Sequence, residues 1–96
     1  MSNYKRGRQA EWWARDQLLA GGFHTVLRMA GSKGPIDLVA LGKHLIKLVQ
    51  VKRCSGKAPT YREELFDLKA LPVPDCCIKE LWIFSDERKS WLVLEA

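Results

Sequence analysis

Two β-forming runs, Ile36–Leu41 and Leu45–Lys52, are separated by little more than Gly42-Lys43, and that pattern demands a β-hairpin. Its register decides which side chains share a face, because successive strand residues point to opposite sides of a sheet. With a two-residue turn at Gly42-Lys43, Leu41 pairs with His44, Asp37 lies opposite Leu48, and Leu48, Gln50 and Lys52 share the face of Asp37. A four-residue loop keeps that face and sets Asp37 directly opposite Gln50. A three-residue loop reverses it, since a slip of one sends every side chain across. Under either even register an acid, an amide oxygen and an amine converge on one patch of sheet.

The rest of the chain is punctuated just as clearly. Arg6–Leu19 reads as a helix rich in Ala, Gln, Glu, Arg and Leu, stopped by Gly21-Gly22. Phe23–Met29 reads as a strand, and the cluster Gly31-Ser32-Lys33-Gly34-Pro35 as a turn. Thr60 fits the N-cap of a second helix, with Glu63 completing a capping box; the helix runs to about Leu71 and stops before Pro72 and Pro74. Leu81–Phe84 and Trp91–Leu94 are apolar strands around the polar turn Ser85–Ser90. The order α-β-β-β-α-β-β predicts a single α+β domain over residues 1–96 with a central mixed sheet. On the first helix, Leu18 falls about 20° from Glu11 and Ala14 about 60° away, so Glu11 sits at the edge of the core-facing stripe. An i,i+4 ion pair with Arg15 is the plainer role for that glutamate. Asp37 equally suits a strand-start or turn-capping aspartate, and Gln50 and Lys52 the exposed edge of a half-buried strand.

Sixteen Lys and Arg against eleven Asp and Glu leave a net charge of +5, which suits a polyanionic partner. No apolar run approaches the roughly 18–20 residues of a membrane span, so a membrane role is not expected. The opening residues lack the apolar segment of a signal peptide. The three cysteines, Cys54, Cys76 and Cys77, have no metal-ligand spacing, and a reducing, cytoplasmic setting is expected. No helix-turn-helix spacing, zinc-ligand set or RNP aromatic pair is present, which points to recognition of shape rather than base sequence.

Taken in order, Tyr4-Lys5-Arg6-Gly7-Arg8…Glu11, Gly22-Phe23 with Arg28, Gly31-Ser32…Pro35-Ile36-Asp37-Leu38-Val39-Ala40 and Gln50-Val51-Lys52 resemble the archaeal-type Holliday junction resolvases of the PD-(D/E)XK nuclease superfamily. The resemblance covers about the first two-thirds of the chain; beyond Cys54 it is looser. It implies a restriction-endonuclease-like α/β core and a homodimer that cuts four-way DNA junctions with Mg²⁺, for which Mn²⁺ substitutes. By the same resemblance Glu11, Asp37, Gln50 and the Val51 carbonyl are the metal ligands and Lys52 orients the attacking water. Ser32 lies in the family's serine-bearing loop, where a turn serine between glycines is the plainer role. Position 50 departs from the superfamily's Asp/Glu-x-Lys pattern: a glutamine carbonyl ligates a hard cation more weakly than a carboxylate.

Lys5, Arg6, Arg8, Arg28, Lys33, Arg53, Lys57 and Arg62 surround this set in sequence and form the expected phosphate footprint, although each alone suits a solvated charge. The apolar runs Leu81–Phe84 and Trp91–Leu94 have little alternation, so Trp82 or Trp91, with part of the second helix, is expected to bury against a second copy unless the two helices cover both faces. Two other readings stay open. One is a related small nuclease acting on flaps or forks, the other a non-catalytic DNA-binding module whose metal site glutamine has weakened.

Overall fold

The computed structural model describes residues 2–29, 34–57 and 60–96. Helix α1 (Asn3–Ala20) is followed by strands β1 (Thr25–Arg28), β2 (Leu38–Leu41) and β3 (Ile46–Cys54), helix α2 (Arg62–Ala70), and strands β4 (Cys77–Ser85) and β5 (Ser90–Glu95). The element order is the one read from the sequence. The five strands form one sheet in the order β1-β2-β3-β4-β5, antiparallel except for the parallel pair β3/β4, which α2 connects. The chain is therefore an α+β domain with a mixed sheet. Among the described residues no helix is long and apolar enough to cross a membrane.

Helix α1 starts earlier than the propensities suggest because Ser2 caps it, its hydroxyl accepting from the Lys5 amide at 3.2 Å. It buries Ala10, Ala14 and Leu18, spaced by four, against Leu38, Ala40, Val49, Val51 and Trp82. Two of those three helix residues are alanines, so the helix lies close to the strands. On the opposite face Leu68 of α2 packs with Ile36, Leu81 and Ile83, joined by Tyr61 and Leu65. Valines 49 and 51 thus face α1, while Leu48, and by the pleat Gln50 and Lys52, face the side of α2.

The expected capping box does not form. Tyr61, not Thr60, precedes the helix, and no side chain caps it. Tyr61 packs into the α2-side core, which delays helix entry by a residue. At the far end of α2, Lys79 of β4 donates to the carbonyls of Lys69 and Leu71, at 3.0 and 2.8 Å.

Four of the aromatic residues pack on one another within one copy. Trp13 packs on Phe84 at 4.9 Å, and Trp91 meets Phe84 and Trp82 edge-on at 5.1 and 5.4 Å. Trp82 is only 8% exposed. Of the two tryptophans expected at a second copy, Trp82 is covered by its own chain, and Trp91 is only partly buried. Large apolar side chains left exposed include Trp12 and Leu19 on α1, Leu27 on β1, Phe66 on α2, and Leu92 and Val93 on β5.

The link from α1 to β1 turns on Gly22, whose φ is +105°. A β-carbon there meets nothing within 4 Å, so the cost of adding one is conformational rather than steric. Gly22→Ala is expected to lower stability by about 1 kcal/mol, read as a lower urea midpoint at unchanged slope.

Candidate functional site

The hairpin resolves its register through its turn. Leu41 pairs with Ile46 and Leu38 with Val49, and the Gly42 amide donates to the Leu45 carbonyl at 2.9 Å, leaving Lys43-His44 at the tip. This is the four-residue alternative, not the tighter turn at Gly42-Lys43. Gly42 flanks the turn, where a β-carbon would stand 3.3 Å from the Phe23 ring and 3.0 Å from the Leu45 carbonyl. One step further the same register would set Asp37 against Gln50, but the regular pairing ends at Leu38↔Val49.

At that step the β2–β3 ladder opens. The Asp37 amide donates to the Val49 carbonyl and its own carbonyl accepts from Met29, both at 2.9 Å, so its backbone is tied to both neighbouring strands. Its Oδ2 then accepts the Val51 amide at 2.8 Å, replacing the backbone acceptor that a continuing ladder would supply. In a strand the amide and carbonyl of one residue point the same way, so the Val51 carbonyl also faces this seam. Burial pushes the Asp37 carboxyl above the usual aspartate range, opposed by the Val51 amide and by the charges of Lys52 and Arg28. Lys52 is half-buried, and its side chain makes no hydrogen bond or ion pair among the described residues.

Glu11 reaches the same end of the sheet from the α1 side. Its Oε1 accepts from Arg28 Nε at 2.9 Å; Arg15, its expected partner, instead pairs with Asp16. Burial raises the Glu11 pKa, the Arg28 hydrogen bond lowers it, and the charge of Asp37 raises it again, so the two carboxylates lie within each other's field. Gln50 belongs to the opposite face, where it lines a recess of about 420 Å³ with Gly34, Pro35, Asp67, Ala70, Leu71 and Pro72. The structure therefore brings Glu11, Asp37, Val51 and Lys52 within reach of one another at the seam, while Gln50 lines the recess on the α2 side.

Gln50 Oε1 is buried and has no hydrogen-bond partner among the described residues. An orphaned buried acceptor costs about 1–3 kcal/mol, and a hard cation is one group that satisfies it. This, with two carboxylates lifted by burial, fits an oxygen-ligand site for a divalent ion. Among the described residues no group of three or more His, Cys, Asp or Glu converges. With glutamine at position 50, the expected set contains only two such residues.

The basic residues divide into two groups. Lys5, Arg8, Lys57 and Arg62 are exposed. Arg53 is enclosed: its Nε donates to Asp86 at 2.6 Å, its Nη1 to the Arg6 carbonyl at 2.8 Å and to Gln9 at 3.0 Å, and its guanidinium lies over Trp13 and Phe84. Arg6 also bonds Asp86, so this pair of arginines clamps the start of α1 to β3 and to the turn after β4. The two arginines hold the Asp86 carboxyl below the usual range, Arg53 most strongly. Arg28 is engaged by Glu11. Ser32 and Lys33 lie outside the described residues.

Sequence reasoning missed two carboxylates here. Asp67 lines the recess of Gln50, and Asp86 anchors the arginine clamp; neither has a local signal, since one sits on an ordinary helix face and the other in a polar turn. A second recess, of about 330 Å³, opens beside Lys52 between the first turn of α1 (Asn3, Arg6, Gly7) and the end of β3. Neither a protein-family model nor a curated protein matches this chain.

Proposed function

We propose that the chain is a metal-dependent, structure-selective DNA endonuclease that resolves four-way junctions as a homodimer. The observation that carries this reading is the opened seam between β2 and β3. There a half-buried aspartate accepts the Val51 amide within the field of Lys52, and Gln50, the residue before Val51, carries a buried oxygen without a partner among the described residues. Asp37, Gln50 Oε1 and the Val51 carbonyl would hold Mg²⁺ or Mn²⁺, with Glu11 as a further ligand, direct or through water. Such an ion supplies charge for the phosphorane-like transition state and lowers the pKa of a nearby water. Lys52 orients the attacking water and lends positive charge to the developing oxyanion. Asp37, fixed by three hydrogen bonds of its own backbone and carboxylate, keeps the seam rigid. Exposed Lys5, Arg8, Lys57 and Arg62 neutralise phosphates on either side.

A two-fold junction cut symmetrically needs two sites related by a two-fold axis. The exposed side chains Leu27, Phe66 and Leu92 provide the apolar surface such a dimer would use. One observation favours a second reading: Glu11 is already bound by Arg28, and position 50 carries no charge, as in a DNA-binding module with a silent site. Incubation with labelled four-way, flap and linear DNA in Mg²⁺ or Mn²⁺ separates the readings. Paired, symmetric incisions in the four-way substrate are expected. Preferred cutting of flaps selects the related nuclease, and tight binding without cutting at high Mn²⁺ selects the silent module.

A further inference from the structure

The solvent face of α1 carries more than charge. Tyr4, Lys5, Arg8, Trp12, Arg15 and Leu19 fall within an arc of about 100°, facing away from the buried stripe Ala10-Ala14-Leu18. Two of them are large aromatics in water: Tyr4 is 67% and Trp12 51% exposed. No core contact explains either ring. Cations are interleaved with them, Arg8 donating to the Tyr4 hydroxyl at 3.3 Å and the Arg15 guanidinium lying 5.7 Å from the Trp12 ring centre. Lys5 and Arg8 form no ion pair among the described residues. The acids on this helix are Glu11, held by Arg28, and Asp16, which pairs with Arg15. Trp12 also forms one wall of a shallow recess of about 280 Å³ shared with Lys5, Arg8 and Gln9 from the preceding turns.

We infer that this face is a stacking platform for unstacked nucleotides, those of a single-stranded segment or a branch point, with Trp12 as its central ring. Every base has a π-face, so an exposed indole binds bases without reading sequence, and flanking Lys and Arg meet the phosphates on either side. The indole is the group that duplex DNA cannot use, because its bases are already stacked on one another. Trp12 adjoins Glu11 on the same helix, and Tyr4 also lies beside Arg28, so the platform is continuous with the seam. A displaced base on Trp12 would hold the branch point next to the reactive end of the sheet. An acidic peptide or a second copy of the chain would also be drawn to parts of this face, but neither needs an exposed indole set between cations.

This inference rests on the nuclease reading for its substrate, yet it is tested without metal or cleavage. Fluorescence anisotropy in EDTA would compare an oligo-dT strand, a linear duplex and a four-way junction. Trp12→Ala is expected to weaken single-strand and junction binding by roughly tenfold or more, with the duplex changed by no more than about twofold. Trp12→Phe should restore most of the loss, since it keeps a ring. Lys43→Ala, an exposed cation on the hairpin tip, should weaken all three DNAs equally and slightly. Because Trp12 projects into solvent, the unfolding midpoint of W12A should match that of the parent. Equal affinity of W12A and wild type for single strands and junctions would overturn the platform while leaving the nuclease reading intact. So would a uniform loss across all three DNAs, or conversion of a dimer to a monomer by W12A at sedimentation equilibrium. A wild-type chain that binds no DNA of any form would overturn both.

Discussion

Asp37→Asn is expected to lower junction cleavage at saturating Mg²⁺ by at least about a thousandfold while leaving junction binding equal or tighter. The same substitution should make the metal-free protein more stable. Asparagine keeps an oxygen for the Val51 amide but removes a charge that burial disfavours. The gain should be read as a higher Tm of D37N than of the parent in EDTA near neutral pH. The pH dependence follows from the direction of the shifts. Asp37 and Glu11 both hold protons more tightly when folded than when unfolded. Between the ordinary carboxylate range and their raised values, the folded state therefore binds more protons, and metal-free stability falls as pH rises through that window. D37N should flatten this fall. Cation affinity runs the other way, rising with pH as the ligands lose their protons. Thermal melts in EDTA across that range, with and without the substitution, check the sign. A D37N protein that cuts at the wild-type rate would remove Asp37 from the chemistry.

Gln50→Glu should act in the opposite sense on both counts. It puts a carboxylate where Gln50 has a buried oxygen, and in EDTA burying that charge should cost on the order of 1 kcal/mol or more. With a divalent ion present the added charge becomes a ligand, and the Mg²⁺ concentration for half-maximal cutting should fall about tenfold. Tm measured in EDTA and then in Mg²⁺ should therefore cross over, with Q50E below the parent in the first and above it in the second. A Q50E protein whose metal requirement is unchanged would show that the orphaned oxygen of Gln50 faces something other than a cation.

Much of the architecture was legible because its elements alternate sharply between helical and extended patterns, with glycine and proline at most of the joints. The hairpin register was legible only as a choice. A turn at Gly42-Lys43 and a tip at Lys43-His44 both obey local rules, and the folded sheet takes the second, with the Gly42 amide closing on the Leu45 carbonyl. Strand β4 runs longer than its apolar core suggests, since Lys79 and Glu80 interrupt the pattern. Their charges are used inside the fold: Lys79 closes the end of α2, and Glu80 binds Lys47 and the Trp82 indole. Such uses depend on residues far apart in sequence, which no local pattern reveals.

The candidate site was similarly uneven. Asp37 and Lys52 lie within each other's field, as the even hairpin registers suggest, whereas Asp37 stands one residue beyond the regular pairing expected to set it against Gln50. That Glu11 meets Arg28, rather than Arg15 one turn on, depends on how α1 crosses β1. Arg53 is the clearest case of a misleading neighbour. Following Lys52, it reads as a phosphate contact, yet it lies beneath Trp13 and Phe84 with its charge met by Asp86. The alternation that turns Lys52 towards one face turns Arg53 towards the other, where α1 covers it.

Titration of Mn²⁺ into wild-type and D37N protein by calorimetry at slightly alkaline pH tests the core of this account without substrate. One binding event per chain in the wild type, lost or weakened by at least about tenfold in D37N, is the expected result. Absence of binding in the wild type, or an isotherm that D37N leaves unchanged, would contradict it.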